Sequence, residues 1–216
     1  MTAFDLPSQT IVNKIIPKNA FDKHTNTRQK KRLAEFVERI RWTNKLSPET
    51  VNLSGKEIFE IQVFEIQLRK HEDIDDLLEV FDKAIPYPVV FLVFFNDKAY
   101  VSSSKKHLHP IHENVSVVDW RFKSKWLKKP KIDFQFDLKK NLDYVFHDIC
   151  NKLSSGLSKS NTLDELVVFE QELVSLRMSI DKLKVTIKRT TQFKKKVELN
   201  IELKNLEKKL FKWEKH

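Results

Sequence analysis

Glycine is nearly missing from this chain: two in 216 residues, Gly55 and Gly156. A Walker loop, a dinucleotide fingerprint and a kinase glycine loop each need two or three glycines within a few positions. P-loop ATPases, classical dehydrogenases and protein kinases are therefore excluded. The single cysteine, Cys150, excludes an internal disulfide and every multi-cysteine zinc site. No glycine elbow surrounds any serine, so Ser/His/Asp hydrolysis has no support. Long apolar runs are missing too. Val89–Phe95 is the longest strongly apolar stretch, far short of the roughly twenty residues that cross a bilayer. The first residues, MTAFDLPSQT, lack a basic segment followed by an apolar one, so they are not a secretory signal. A reduced, cytoplasmic setting without a membrane partner is the expectation.

What is present is charge and aromatic surface. Lys and Arg number 40 against 30 Asp and Glu, a net +10, and there are sixteen Phe and four Trp. The apolar content supports a packed core. The charge excess is shared equally: 26 against 21 over residues 1–153 and 14 against 9 over 154–216. It is not a basic tail, and bulk charge alone supports only non-specific attraction to polyanions.

Hydrophobic periodicity predicts the elements. Residues 11–16 form an amphipathic patch stopped by Pro17. Arg28–Arg39 reads as a helix with Leu33, Phe36, Val37 and Ile40 on one face, N-capped from Thr25–Thr27. Its first turns carry Arg28, Lys30, Lys31 and Arg32, the unfavourable sign for the helix dipole. Ile40–Leu46 reads as a strand, and Gly55 marks a turn. Residues 57–70 read as a long strand, with Phe59, Ile61, Val63 and Glu65 on one side and Phe64, Ile66 and Leu68 on the other. Asp73, Asp75 and Asp76 open a helix striped by Ile74, Leu77, Leu78, Phe81 and Ile85, ended by Pro86 and Pro88. Val89–Phe95 is a central strand, Asn96-Asp97 a hairpin turn, and Lys98–Ser102 its partner. Val115–Leu127 is a further strand. Leu138, Leu142, Val145, Phe146, Ile149 and Leu153 define a helix closed near Gly156. The fold class is α/β, or α+β, with a mixed sheet and flanking helices. The expected domains are 1–155 and a helical, coiled-coil-like tail, 156–216.

The tail carries two seams. Leu166, Phe169, Leu173, Leu176, Ile180, Leu183 and Ile187 step by three and four, as do Leu199, Leu203, Leu206, Leu210 and Trp213. Ile187 and Leu203 are sixteen residues apart, two more than two heptads, so the seams are out of phase. Either one long helix carries a discontinuity near Thr190-Thr191 or the chain folds back as a hairpin. Without glycine or proline to force a turn, a continuous helix is favoured. Leu166, Phe169, Leu173, Leu176, Ile180, Leu183, Leu203, Leu206 and Leu210 are the expected partner-binding residues, for a protein partner or a second copy.

Four constellations bear on chemistry. Residues 121–131 place six cations in eleven positions: Arg121, Lys123, Lys125, Lys128, Lys129 and Lys131. In a strand Trp120, Phe122, Ser124 and Trp126 point one way, and Asp119, Arg121, Lys123 and Lys125 the other. That is a footprint for sequence-blind contact with nucleic-acid phosphates. His107, His109 and His112 cluster around Pro110, and imidazole is a common metal ligand. A solvated loop explains them more simply, so no metal site is assigned. Restriction-type nucleases place an acid on one strand and acid-x-lysine on the next. Here Glu65-Ile66-Gln67 puts glutamine where lysine belongs, and Glu49, beside Pro48, is the upstream acid on offer. Cys150 lies near its helix's apolar stripe and reads as a packing residue.

Several segments occur together in a familiar order. They are VNKIIPKNAF, WTNKLSPETVNL, EIFEIQVFEIQLR, IDDLLEVFDKAIPYPVVFLV, VVDWRFKSKW and QFKKKVELNIELKNLEKKL. This series resembles the prokaryotic domain-of-unknown-function family 4391 over nearly the whole chain. The family carries no catalytic residues to transfer. Its members tend to be encoded beside superfamily 2 helicases and DNA methyltransferases, in clusters that look like restriction or phage-defence islands. The resemblance implies an accessory subunit working near DNA, with a helicase or methyltransferase subunit as protein partner; no cofactor is expected. The alternative is a metal-dependent nuclease of restriction-endonuclease type, active or degenerate, built on Glu65 with Glu49.

Overall fold

The computed structural model describes residues 4–111, 115–128 and 134–214. The chain divides into two compact units, Met1–Ser154 and Ser155–His216.

The first unit is built on a seven-stranded mixed sheet in the order β1-β2-β3-β4-β5-β6, with β7 paired to β5. Its strands are β1 (Ile11–Ile16), β2 (Val37–Leu46), β3 (Ile61–Leu68), β4 (Val89–Phe95), β5 (Lys98–Leu108), β6 (Ser116–Lys123) and β7 (Leu127–Lys128). Only β3 and β4 run parallel; the other pairings among the described residues are antiparallel. A parallel pair needs a crossover. It is α3 (Asp75–Ala84), which ends where Ile85 turns extended ahead of Pro86. The remaining α-helices among the described residues of this unit are α1 (Thr27–Phe36), the single turn α2 (Pro48–Val51) and α4 (Leu142–Leu153), beside two 3-10 stretches, Ser8–Thr10 and Lys18–His24.

Alternation along β3 and β4 produces three layers. Phe64, Ile66, Phe91 and Val93 face one side and form a core with Leu33 of α1 and Leu77, Leu78 and Phe81 of α3. On β5, Ser104 bonds Asp82 of α3 while its neighbour Ser103 lies beside Cys150 of α4. Successive residues thus serve opposite layers, and α4 buries Val145, Phe146 and Ile149 on the second face. The α1 N-terminus is closed by a capping box: Gln29 N donates to Asn26 Oδ1 at 2.9 Å and Asn26 N to Gln29 Oε1 at 3.0 Å.

Several readings change in this unit. The helix expected over 28–39 ends at Phe36, where β2 already begins at Val37, and the strand expected over 57–70 is confined to Ile61–Leu68. Residues 11–16 form an edge strand, with a register shift between Ile11 and Lys14 and Asn13 at φ 51°. Lys98–Ser102 continues to Leu108, because Ser102, Ser103 and Ser104 all find buried acceptors: Phe122 O, Val89 O and Asp82 Oδ2.

Cys150 is fully buried, and burial pushes its thiol well above the ordinary range. The thiolate is the reactive species. The native chain is therefore expected to resist a disulfide reagent such as DTNB and to react at once in urea. Rapid stoichiometric labelling of the folded chain would contradict that placement.

The second unit is a helical hairpin. Helix α5 spans Leu163–Arg189 and α6 spans Phe193–Glu214. The reversal occupies Thr190–Gln192. Thr190 leaves helical geometry at φ −79°, ψ 124°, and its hydroxyl donates to Thr186 O at 2.9 Å. Such side-chain back-bonding competes with helix continuation. The favoured continuous helix is thereby replaced by the hairpin, whose antiparallel sense is marked by Lys184–Glu207 at 3.0 Å and Arg177–Glu214 at 3.5 Å.

Candidate functional site

The acidic start of α3 organises much of the basic surface. Asp75 and Asp76 occupy its first turn, where the dipole favours anions. Asp76 pairs with Arg32 of α1 at 3.0 Å. Lys123 of β6 sits between Asp73 at 2.7 Å and Asp75 at 2.9 Å, over the Tyr100 ring. Burial pushes the Asp73 carboxyl up, but the Lys123 ammonium and the Asp75 N–H outweigh it and hold it below its ordinary value. Deeper in, Asp82 is fully buried and accepts from Ser104 at 2.8 Å and Arg121 at 2.9 Å, with Lys106 at 3.4 Å.

The expected phosphate strip is therefore divided. Arg121 and Lys123 do share a face of β6, but that face meets α3, and both cations are neutralised within the unit. Lys125 and Lys128 are exposed. Lys129 and Lys131 lie outside the described residues. Trp126 does not continue the Phe122 side. The strand ends at Lys123, and Trp126 packs tilted against His71 and edge-on to Tyr100 at centroid distances of 4.4 and 4.7 Å.

The histidines are separated by their own hydrogen bonds. His107 Nδ1 meets Asp119 Oδ1 at 2.8 Å, and His109 Nδ1 accepts from Ile111 N at 3.1 Å. His112 lies outside the described residues. No group of three metal-ligating side chains converges among the described residues.

Glu49 and Glu65 are not brought together. Glu49 lies on α2, where the Ser47 hydroxyl at 2.6 Å holds its carboxyl below the usual range. It lines an open groove of ≈ 560 Å³ with Lys45, Phe59, Glu60 and Tyr87, at the start of β3. Glu65 is four residues further along that strand, about 13 Å away at strand rise.

Around Glu65 the sheet shows a feature that sequence reasoning missed. Across β2, Arg41 is the register partner of Glu65 and Arg39 of Gln67; across β4, Leu92 faces Glu65. Arg39, Arg41, Glu65, Gln67 and Phe94 line a shallow depression of ≈ 110 Å³ near the carboxyl ends of the parallel strands. Asn13 Oδ1 accepts from Arg41 at 3.2 Å, and Glu38 accepts from Gln67 at 2.9 Å. Arg39 is exposed and makes no ion pair among the described residues. The i, i+2 arginine spacing on β2 was the available signal, but only cross-strand register ties it to Glu65.

The tail seam lies within the hairpin. Leu166, Leu173, Leu176 and Ile180 are buried, Phe169, Leu183, Leu203, Leu206 and Leu210 partly so, and Phe169 meets Trp213 at 5.3 Å. Outward-facing apolar residues remain at Val174, Met178, Val185, Val197, Ile201 and Phe211.

No helix among the described residues is long and apolar enough to cross a membrane. No curated protein and no solved structure matches the sequence. A family profile does match, over residues 4–210, so the chain belongs to the DUF4391 family, a domain of unknown function.

Proposed function

We propose that the chain is a non-catalytic accessory subunit working at DNA in a helicase- or methyltransferase-containing defence complex. The partner class rests on the genomic setting that the family resemblance implies. The DNA half rests on one observation: Arg39 and Arg41 stand side by side on β2 at the carboxyl end of the β3–β4 pair. Ligands of α/β sheets gather at the carboxyl ends of parallel strands. Guanidinium forks held on a strand suit phosphate oxygens, and such contacts position a duplex without reading its sequence. Exposed Lys125 and Lys128 add cationic surface.

The same site favours binding over cleavage. Metal-assisted hydrolysis needs donors that hold the cation and activate water. Here the neighbours of Glu65 are an arginine and a leucine, and Gln67 supplies no positive charge. A lone carboxylate whose register partner is Arg41 does not complete a ligand set. A restriction-type nuclease orders its elements as a helix, three strands, then a helix and further strands, and that order is only partly kept. Three strands precede α3, but α1 falls between the first and second.

The test is a titration of a labelled 25-bp duplex over a range of salt. Arg39→Glu with Arg41→Glu is expected to weaken binding at least tenfold at ~0.1 M salt. The slope of log K against log[salt] should fall by about 1.8, for two phosphates lost at about 0.9 each. Unchanged affinity and slope would remove this surface. Mg²⁺- or Mn²⁺-dependent cleavage abolished by Glu65→Ala would replace the reading with the nuclease.

A further inference from the structure

The tip of the α5–α6 hairpin concentrates charge of one sign. Residues 182–196 contain seven cations, Lys182, Lys184, Lys188, Arg189, Lys194, Lys195 and Lys196, and no Asp or Glu. Two of these are paired, Lys184 with Glu207 and Lys195 with Glu198. The other five make no ion pair among the described residues. The three-residue reversal at Thr190–Gln192 brings both groups to one end: Lys188 and Arg189 close α5, and Lys194–Lys196 open α6. Cations suit the carboxyl end of α5, but three lysines in the first turn of α6 oppose its dipole. Both helices then present positive charge at the same end, along about 12 Å of helix at 1.5 Å per residue. Helix stability alone does not favour this arrangement.

Phe193 stands among these cations and is 81 % exposed. It is the first residue of α6 and lies off the Leu199–Trp213 seam, so hairpin packing does not require it. An exposed aromatic ring at the hairpin tip, followed at once by three lysines, combines the two elements of single-stranded nucleic-acid recognition. These are electrostatic attraction to phosphates and a platform on which a base stacks. An anionic lipid surface fits less well. Interfacial helices lie flat with a broad apolar face, whereas here Lys194, Lys195 and Lys196 directly follow Phe193.

We infer that the hairpin tip is a binding site for single-stranded nucleic acid, with Lys188, Arg189, Lys194 and Lys196 on the backbone and Phe193 stacked on an unpaired base. The residues are distinct from Arg39 and Arg41, so this inference stands whether or not the sheet surface binds duplex.

The experiment uses the full chain, a labelled 20-nucleotide oligo-dT, a 20-bp duplex, and phosphatidylcholine vesicles containing phosphatidylserine. The single strand is expected to bind more tightly than the duplex. Lys188→Glu, Arg189→Glu, Lys194→Glu and Lys196→Glu together should weaken single-strand binding more than tenfold. They should also lower its salt slope by roughly 3, at about 0.7 per phosphate. A Lys/Arg→Gln version of the same four sites, with unchanged helical circular dichroism, separates lost contacts from lost folding and should act in the same direction. Phe193→Ala should cost roughly tenfold on the single strand and leave the duplex unaffected. The Arg39→Glu, Arg41→Glu variant should keep the single-strand preference. The inference is overturned if the folded Gln variant binds oligo-dT like the native chain. Equal loss on strand and duplex from Phe193→Ala, or binding of vesicles but not oligonucleotides, overturns it too.

Discussion

Replacing Asp82 with alanine is expected to destabilise the first unit by about 3–5 kcal/mol, the usual cost of removing one member of a buried ion cluster. For a domain of this size that lowers the melting temperature by roughly 10 °C. Asp82 is 0 % exposed, and it faces two cations whose side chains are 3 % and 14 % exposed, Lys106 and Arg121. Without the carboxylate, Arg121 keeps among the described residues only the Ser102 hydroxyl at 3.4 Å, while Lys106 keeps the carbonyls of residue 82 and Ile85 at 2.9 and 2.6 Å. Two charges then share a dry site with no counterion. Asp82→Asn preserves shape and one acceptor and should cost less than alanine; urea titrations of both variants measure the difference. If alanine costs under about 1 kcal/mol, the cluster is not the anchor between α3 and the β5–β6 pair. The cluster also sets a pH signature. Burial pushes the Lys106 ammonium down to about 8, against the pull of Asp82. The unfolded chain, titrating near 10.4, therefore binds more protons between about pH 8 and 10, and this group's contribution to stability rises with pH there. Burial raises Tyr100 and Cys150 instead, so their contributions fall over the same range. The clean measurement is the stability of the native chain minus that of Lys106→Met, which should climb from pH 8 to 10.

The strongest local patterns were enough for β4 and α3. VVFLVFF has no other place than a sheet interior, and the α3 stripe closes before two prolines. β1 escaped because its apolar residues fall at helical spacing: Ile11 and Ile15 stay exposed, and pairing with β2 makes the segment a strand. The polar half of β5 escaped because its serines are strand-compatible only once Phe122, Val89 and Asp82 supply acceptors. The same limit governs the sites. Alternation placed Arg121 and Lys123 on one face, but their carboxylate partners come from α3 and the residues just ahead of it, 39 to 50 residues upstream. Glu65 stood out from its glutamine neighbour alone, whereas the arginines beside it come from register with β2. In the tail the phase slip between seams was visible, and the direction of the chain beyond it was not. Local periodicity shows which face a residue occupies; what that face meets is decided by pairings that spacing does not encode.

Asp143→Ala carries the second large effect, expected at about 2–4 kcal/mol from the loss of charge-assisted hydrogen bonds, discounted for partial exposure. One carboxylate at the start of α4 closes the loop ahead of β3. Its Oδ2 accepts from Lys56 N at 2.7 Å, and its Oδ1 from Glu57 N and Ile58 N at 3.0 Å each. Three successive N–H groups can converge on one anion because the chain doubles back tightly at Gly55. A Cβ there would sit 1.9 Å from the Ile58 carbonyl oxygen and 3.1 Å from Asp143 Oδ2. Gly55→Ala should therefore reproduce much of the Asp143→Ala loss, since it forces apart the same loop. Because the two act on one structure, the double variant should cost less than the sum of the singles. Burial pushes the Asp143 carboxyl up, but the three N–H bonds prevail and hold it below the usual carboxylate range. Its stabilising share is thus complete above the unfolded value of about 3.9. It is lost as the pH falls through the lower folded value. The native chain should lose more stability than Asp143→Ala on acidification below about pH 4, so the two denaturation curves converge in acid. A gap that stayed constant from pH 7 to pH 2 would mean that the carboxylate's charge, and with it the three-donor cradle, does not hold this loop to α4.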